Sequence, residues 1–504
     1  MNKWTETDLE SILVDFESGK RPKGGVSGIC NGIPSLGGEH LNPNGLFNFK
    51  NIKYVPKNFA NNMKKGHIKL KDILIVKDGA TTGKISFVDK NFAFSNAVIN
   101  EHLFRCHVSE KINSKFVFYF LYSGTGQKRI LSNFKGTAQG GINTSFAPNT
   151  LLPIAPIDEQ NRIVEKIEEL FSDLDKATED LKKTQKLLKI YRQAVLKAAF
   201  EGKLTEEWRK KYNTSSAELL FRRVFNKRKE IYKRQQFKKC KKLKHPEKFY
   251  KKENTTEMKF DDIPYSWKQI KFIDLIKYEE NSIKRGPFGS AIKKAFFVPK
   301  GYKVYEQKNA INNDAILGNY FIDEAKYKEL ERFSVKGDDY IISCSGTIGR
   351  ISKLPKDASI GVINQALLKI VLDEDLFIDK LFLYLFRAEF FQRKILKETR
   401  GSAMKNIASV EDIKNIDVLL PSKEEQEKIL QEIESRLSVC DKLEETVQQS
   451  LEKIGYLRQS ILKKAFEGKL VPQDPNDEPA EKLLERIKQE KEKFESNNKK
   501  RKKR

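Results

Sequence analysis

The chain has 504 residues, of which 33% are charged, and its formal net charge is +26. This excess of positive charge favours a polyanionic partner such as nucleic acid, although a lysine-rich proteome would produce the same composition. The five cysteines are scattered, which argues against a metal site and a disulfide framework. No apolar run reaches about 18 residues, which argues against a membrane span, and we expect a cytoplasmic protein.

Residues 1–155 predict an α+β domain. The apolar run 73–76 leads into a glycine-rich turn, as at the end of a strand, and residues 115–121 predict an aromatic-rich helix. The turn, Gly79-Ala-Thr-Thr-Gly-Lys84, has one residue too few between its glycines for a phosphate-binding loop, and Ile85 replaces the hydroxyl that would bind magnesium. Two alternatives remain: the turn contacts DNA phosphate through its backbone and Lys84, or its glycines serve a tight turn between strands.

Residues 156–202 predict one long helix. Apolar residues recur at alternating steps of four and three from Ile163 to Ala198, which is a heptad seam. Pro156 precedes the first turn and Gly202 follows the last, where each residue type favours a helix boundary. A helix of this length with one apolar seam needs a partner along that seam.

Residues 203–261 predict a basic helical linker, and residues 262–420 a second α+β domain. Within the linker, the stretch 203–259 carries 20 Lys or Arg against 7 Asp or Glu. The second domain shares a faint frame with the first: Ser345-Gly-Thr-Ile-Gly349 stands where the first has Asp78-Gly-Ala-Thr-Thr-Gly83 and is one residue shorter. On the same frame Asn364 is matched with Asn96.

Residues 421–470 predict a second long helix, and residues 471–504 a short helix with a basic tail. The second long helix repeats the first 266 positions later, from Glu159 and Glu425 to Leu204 and Leu470, with 19 of 46 aligned pairs identical. The protein is therefore two versions of one unit in tandem, which suits a two-sided partner such as duplex DNA with two half-sites.

Packing the two long helices antiparallel would cover both seams at once, whereas the alternative is a seam that packs on another protein. The expected contact positions in the helix pair are Ile163, Ile167, Leu174, Leu181, Leu188, Val195, Ile429, Ile433, Leu443, Val447, Ile454 and Ile461.

The order of these elements resembles the DNA-specificity subunit of Type I restriction-modification systems. The matching pieces are Ile263-Pro-Tyr-Ser-Trp267, Gly286-Pro-Phe-Gly-Ser290, Gly337-Asp-Asp with Ser345-Gly-Thr-Ile-Gly349, Asn364-Gln365, Leu420-Pro with Glu425-Gln426, and the Ala-Phe-Glu-Gly-Lys-Leu end of each long helix. The resemblance implies an α+β fold with two target-recognition domains in pseudo-two-fold tandem, joined by two long antiparallel coiled-coil helices.

The same resemblance implies partners and cofactors. Each domain would read one half of a bipartite site in double-stranded DNA, and the helices would set the gap and dock two methyltransferase subunits, which restriction-translocase subunits join. S-adenosylmethionine, ATP and magnesium would belong to those partners, and the chain itself would have no catalytic activity or cofactor.

No methyltransferase motif, cofactor loop or metal-binding histidine pair occurs in the sequence, which also favours a non-catalytic role. Two alternatives stay open: a coiled-coil structural protein that binds DNA without sequence preference, and an enzyme of DNA modification.

Polar or basic residues of the glycine-rich loops are the expected DNA contacts, with Arg or Lys favouring guanine and Asn or Gln adenine. A solvated surface charge is the alternative for each. These residues are Lys20, Arg21, Lys23, Thr81, Thr82, Lys84, Gln139, Asn143, Lys284, Arg285, Lys293, Lys294, Thr347, Arg350, Lys405 and Asn406.

Overall fold

The computed structural model of the chain describes residues 3–136, 140–212, 215–238, 263–397 and 406–502. The chain divides into two compact units. The first contains the residues up to Lys183 together with those from Val447 onward, and the second contains Thr184–Thr446. Across the described ranges, every helix is too short or too polar to span a lipid bilayer.

Helices and strands are mixed in both units. The helices are α1 (Leu9–Ile12), α2 (Lys57–Asn62), α3 (Ser114–Tyr122), α4 (Gly124–Leu131), α5 (Phe146–Asn149), α6 (Ile157–Phe200), α7 (Glu206–Lys211), α8 (Ala217–Lys238), α9 (Gln307–Asn312), α10 (Glu324–Glu329), α11 (Asp379–Arg387), α12 (Glu389–Ile395), α13 (Val410–Lys414), α14 (Lys423–Phe466) and α15 (Ala480–Lys502). The strands are β1 (Thr5–Asp8), β2 (Leu13–Ser18), β3 (Ile33–Leu36), β4 (Lys53–Val55), β5 (Ile73–Val76), β6 (Ile85–Phe87), β7 (Val98–Ile99), β8 (Leu103–Val108), β9 (Leu151–Ile154), β10 (Lys268–Lys271), β11 (Ile283–Arg285), β12 (Tyr302–Tyr305), β13 (Phe321–Ile322), β14 (Ser334–Val335), β15 (Tyr340–Ser343), β16 (Ile351–Lys353), β17 (Gly361–Ile363), β18 (Leu367–Ile370), β19 (Leu396–Lys397), β20 (Asn406–Ile407) and β21 (Asp417–Leu420).

The same antiparallel sheet occurs in both units. Its strand order is β2-β8-β5-β6 in the first unit and β11-β18-β15-β16 in the second. A second sheet is β4-β3-β7 in the first unit and β13-β12-β17-β14 in the second, and each contains one parallel pair, β3 with β7 or β12 with β17. The first and last strands of each domain also pair, β1 with β9 and β10 with β21, so each domain closes on itself before the chain enters a long helix.

Strand β5 is a continuous apolar run because both of its faces are covered. Ile73 and Ile75 belong to the core that contains helix α3, whereas Leu74 and Val76 belong to the core formed with the second sheet. Since successive side chains of a strand point to opposite faces, one strand contributes to two cores. In the second unit, β15 divides its side chains between two cores in the same way.

The two long helices pair antiparallel within each unit. In the first unit Arg458 donates to Asp175 Oδ1 at 2.5 Å, and in the second Arg192 donates to Asp441 Oδ1 at 2.6 Å. The α6 residue of the second pair, Arg192, lies later in the chain than Asp175, whereas its α14 partner, Asp441, lies earlier than Arg458, as antiparallel helices require. Each helix has 44 residues, which corresponds to roughly 66 Å. The expected fold, an α+β chain with two domains in tandem and a long antiparallel helix pair, is confirmed.

Most expected seam positions of the helix pair are covered, and one is not. Leu443 is 46% exposed, because the buried stripe on this part of α14 runs through Cys440 and Val447, while Leu443 lies one turn from the exposed Val439. Placing Leu443 in the contact is therefore wrong. The others are buried or half-buried: Ile163, Ile167, Leu174, Leu181, Leu188, Val195, Ile429, Ile433, Val447, Ile454 and Ile461.

The repeat continues past the long helices into α8 and α15. Ala217, Leu220 and Val224 are buried in the core of the second unit, and Ala480, Leu483 and Ile487 have the same spacing in the core of the first. Each short helix thereby contributes one apolar face to a domain.

A buried ion cluster supports the sheet of the first domain. Arg105 on β8 is only 1% exposed, and its guanidinium lies 3.1 Å from Asp72, 2.8 Å from Glu17 and 3.1 Å from Asp15. Burial by itself lowers the pKa of Arg105, but the three carboxylates outweigh it and the pKa is raised. In the second domain Lys369 occupies the equivalent place and donates to the Ser334 carbonyl at 2.8 Å.

Replacing Arg105 with alanine is expected to lower the free energy of unfolding of the first domain by about 3–5 kcal/mol, because it leaves the buried Asp72 carboxylate without its counter-charge. Urea denaturation measures the loss. Lys166→Ala removes an exposed pair with Glu169 and should cost under about 1 kcal/mol. Equal losses for the two variants would show that the cluster contributes no more than a surface pair.

Candidate nucleic-acid interface

Loops that are distant in sequence meet at one end of the sheet in the first domain. The turn between β5 and β6 lies beside the segments around His102 and Ile142, since Lys77 N donates to the His102 carbonyl at 2.8 Å and Ile142 N donates to the Lys77 carbonyl at 2.8 Å. The loop after β2 reaches the same place, because a Cβ on Gly19 would lie 1.9 Å from the Ile99 carbonyl oxygen. We call this region the loop end of the domain.

Arg21 lies at the loop end inside a cluster of polar side chains. Its guanidinium is 2.7 Å from Glu101 Oε1 and 3.2 Å from His102 Nε2, and the other ring nitrogen of His102 bonds to Asp78. Arg21 is exposed, so its charge is both accessible and partly balanced. Sequence reasoning selected Arg21 but missed Glu101, His102 and Asp78, because only chain folding brings them to it.

The other predicted contacts of the first domain fall into three groups. Lys20 and Lys23 are exposed on the loop after β2, whereas Thr81, Thr82 and Lys84 are half-buried in the turn. Asn143 is exposed, and its side-chain oxygen accepts from Ser145 N at 3.0 Å, so it also shapes its own loop. Gln139 lies outside the described residues.

The second domain has an equivalent loop end. Cys344 N donates to the Ala366 carbonyl at 2.7 Å, and a Cβ on Gly286 would lie 1.8 Å from the Asn364 carbonyl oxygen, so the turn after β15, the loop after β11 and the segment after β17 meet there. Ser343 Oγ accepts from Arg350 N at 3.0 Å and donates to the Thr347 carbonyl at 2.5 Å, which closes the turn. Thr347 and Arg350 are exposed.

The remaining predicted contacts of the second domain differ in exposure. Arg285, Lys293 and Lys294 are exposed, whereas Lys284 is half-buried with its ammonium 5.9 Å from the centre of the Phe333 ring. Lys405 lies outside the described residues, as does the side chain of Asn406, whose backbone pairs with Lys397 in a short ladder. Arg285 interacts electrostatically with Cys344, and Lys294 lines a groove together with Gln365, so these two residues place positive charge at the second loop end.

The glycines of the two turns have positive φ. Gly79 and Gly83 have φ of 89° and 86°, and Gly346 and Gly349 have φ of 60° and 78°. Gly83 N donates to the Val76 carbonyl and Gly349 N to the Ser343 carbonyl, so the first turn is one residue longer, as its sequence predicts. The tight-turn interpretation accounts for these glycines, and phosphate contact stays a prediction.

The sheet register corrects one expected equivalence between the domains. Asn100 and Asn364 both follow the strand that pairs in parallel, and each side chain accepts from the amide two residues later at 3.0 Å, His102 N or Ala366 N. Asn100 is thus the counterpart of Asn364, and matching Asn96 with it is wrong. The residues that follow them, Glu101 and Gln365, are then equivalent. Arg21 and Phe288 are also equivalent, because each lies two residues after a glycine, Gly19 or Gly286, that packs against this segment.

The cysteine at the second loop end, Cys344, has an unreactive thiol. Cys344 is fully buried, and burial raises the pKa of its thiol to about 12 although Arg285 acts in the opposite direction. The thiol is therefore protonated at neutral pH and is a poor nucleophile.

Two equivalent domains with exposed basic loop ends, joined by an antiparallel helix pair, define a duplicated recognition protein. The family model of the Type I restriction modification DNA specificity domain matches residues 21–190 and 267–453, and the chain belongs to this family. It is a Type I restriction-modification specificity subunit and recognises DNA sequence specifically; a structural coiled coil without sequence preference is not favoured.

Known relatives extend over most of the chain. The EcoBI specificity subunit of Escherichia coli is 25% identical over 404 residues, which cover 78% of this chain and 75% of that protein. The EcoKI specificity subunit of Escherichia coli strain K12 is 25% identical over 475 residues, covering 89% and 86%. A solved chain from a study of type I restriction-modification complex assembly has the same fold, with a TM-score of 0.59, 15% identity, and coverage of 93% of this chain and 98% of that one.

Proposed function

We propose that each domain reads one half of a bipartite duplex site with its loop end, and that the two long helices set the distance between the halves. The observation that carries this proposal is the contrast between the two loop ends. Their backbone frames agree, down to the Asn100 and Asn364 side-chain bonds, whereas the exposed side chains on them differ. A shared frame with different readers suits two half-sites of different sequence.

The chain supplies no chemistry of its own in this proposal. S-adenosylmethionine, ATP and magnesium are bound by methyltransferase and restriction-translocase partners, and the complex works on DNA in the cytoplasm. Sequencing of methylated bases in a host strain, with and without the gene, tests the proposal. A single bipartite motif that disappears with the gene is the expected result, and methylation without a defined motif would contradict it.

We infer that methyltransferase subunits dock on exposed apolar side chains of the long helices. Ile190 and Tyr191 on α6 are exposed, and so are Tyr456 and Leu457 at the equivalent positions of α14. Each unit thus has two adjacent exposed apolar side chains at equivalent helix positions, with Ile190 65% and Tyr456 77% exposed. Two equivalent pairs predict two bound methyltransferase subunits for each chain.

Ile190→Glu and Tyr456→Glu are each expected to remove one methyltransferase subunit from the complex, and the double variant to remove both. A buried charge at the centre of an interface costs well over 1 kcal/mol, or more than about five-fold in affinity. Native mass spectrometry counts the subunits. Lys176→Glu changes an exposed polar residue of α6 and should leave two subunits bound. Retention of two subunits by the double variant would place the docking surface elsewhere.

A further inference from the structure

A buried arginine joins the ends of both long helices in the second unit. Arg209 on α7 is 8% exposed. Its Nη1 lies 2.5 Å from Glu425 Oε1 in the first turn of α14, and its Nη2 donates at 2.6 Å to the carbonyl of Gly202, just after the end of α6. Because one planar guanidinium makes both contacts, it holds the end of α6 and the start of α14 in a fixed arrangement.

The same guanidinium contacts the start of the second domain. Its central carbon lies 5.7 Å from the centre of the Trp267 ring, and Trp267 directly precedes strand β10. Trp267 is buried in the core of that domain, and Ser266 Oγ lies 3.5 Å from Glu425 Oε2. Arg209 therefore links α6, α14 and the domain at one point, which we call the helix junction of the second unit.

Glu425 needs this arginine because its carboxylate is fully buried. A buried charge is strongly destabilising unless it is paired and hydrogen-bonded. Thr205 Oγ1 donates to the same carboxylate oxygen at 2.7 Å, so a charged and a neutral donor converge on it. The contact is thus charge-assisted and screened from water, which makes it stronger than an exposed ion pair.

The first unit has an equivalent helix junction without an arginine in this place. A Cβ on Gly468, after the end of α14, would lie 3.3 Å from Gln473 Nε2, whereas a Cβ on Gly202 would lie 3.2 Å from Arg209 Nη1. The neutral amide of Gln473 therefore occupies the place of the guanidinium.

The carboxylate of the first junction is less well balanced. Glu159 is the counterpart of Glu425 and is only 1% exposed, and its Oε1 has no hydrogen-bond partner among the residues that the structure describes. Burial raises the pKa of Glu159, although Arg162 acts in the opposite direction. Arg162 is itself paired with Asp477 at 2.6 Å. The two junctions thus share a geometry and differ in how firmly charge holds it.

The junction of the second unit lies at the base of its domain, away from the loop end. Strand β18 starts at the loop end, and its far end is bonded to the segment after β10, because Asp373 N donates to the Leu275 carbonyl at 2.9 Å. A domain of about 150 residues is roughly 40 Å across, so a rotation of about 5° at its base moves the opposite side by about 3 Å. Since one base pair rises about 3.4 Å, this small tilt shifts the loop end by about one base pair.

We propose that Arg209 is a positioning residue that fixes the orientation of the second domain on the long helices and so narrows the range of gaps that the complex accepts. This inference rests on the proposed function, in which the helices set the distance between the half-sites. Gln473 lacks the charged fork and holds the first domain less firmly. Arg209 itself contacts no base and does not influence which sequence each half-site has.

The test uses the full chain bound to its methyltransferase partner. Duplexes carry its two half-sites with the preferred gap, or with that gap lengthened or shortened by one base pair. Arg209→Gln, which introduces the amide that the first unit uses, should reduce discrimination between the preferred and the altered gaps by roughly ten-fold, the scale of one charge-assisted hydrogen bond. Both half-site sequences should stay the same when duplexes are selected from a randomised library.

Three further variants separate positioning from general damage. Arg209→Gln combined with Glu425→Gln leaves no unpaired buried charge, so the chain keeps its fold while the guanidinium fork is absent, and it should accept the same widened range of gaps. Lys210→Gln removes only exposed ion pairs of α7 with Glu206 and Glu207 and should keep the gap preference of the parent. Gln473→Ala, at the first junction, should also keep it.

The outcomes distinguish this inference from the proposed function. If the parent complex selects no bipartite site, or binds all gaps equally, the proposed function itself fails. If the parent prefers one gap and the folded double variant retains that preference, the inference is overturned. It is also overturned if Gln473→Ala widens the accepted gaps as much as Arg209→Gln, or if Arg209→Gln changes a half-site sequence instead of the gap.

Discussion

Exchanging residues 268–420 for the same segment of another family member is expected to change one half-site of the recognition sequence and leave the other unchanged. The cut points lie in the β10–β21 pair, where Lys268 is opposite Leu420, so the domain closes on itself between them. A specific site is typically bound 10³- to 10⁷-fold more tightly than other DNA. The chimaera should show this preference for DNA that carries the new half-site and lose it for DNA that carries the original one. Sequencing of methylated bases in the host measures the change.

The reciprocal exchange is its matched control. Residues 5–154 lie between the paired strands β1 and β9, and replacing them should alter only the other half-site. Ile429 and Ile433 belong to helix α14 and are buried in the same core as the second domain. Both residues remain native in both chimaeras. A change in both half-sites after either exchange would show that the domains do not read independently.

Removing one heptad from each long helix is expected to shorten the preferred gap by about three base pairs. Seven residues correspond to about 10 Å of helix, and duplex DNA rises about 3.4 Å for each base pair. Deleting 176–182 and 442–448 keeps the Arg458–Asp175 and Arg192–Asp441 pairs on either side of the deletions. Since seven residues return the buried stripe to phase, the helix pair still closes. Binding to duplexes with systematically varied gaps gives the readout.

A deletion of four residues from each helix is the control for the heptad experiment. It rotates the buried stripe away from the partner helix and should abolish assembly rather than shift the gap. An unchanged gap preference in a stably assembled, heptad-deleted complex would contradict the helices as the ruler.

The sequence alone determined the features that depend on local periodicity and on repetition. The heptad spacing predicted both long helices, and the 266-residue repeat predicted two versions of one unit. An internal repeat with a seam in each copy also predicted the antiparallel pair, because each helix is the nearest surface that can cover the other. The glycine turns could be recognised because positive φ requires glycine at fixed positions.

Only the tertiary structure decided which loop residues meet. Asn100, rather than Asn96, is the counterpart of Asn364, because strand register and not sequence similarity aligns the two loop ends. Leu443 carries a seam spacing but lies exposed, since a helix of this length presents more apolar residues than one partner covers. Arg21 with Glu101, and Phe288 with Gln365, come together through strand pairing across about 80 residues of chain. Such contacts leave no periodic trace in the sequence, because they depend on how distant strands pair and not on neighbours along the chain.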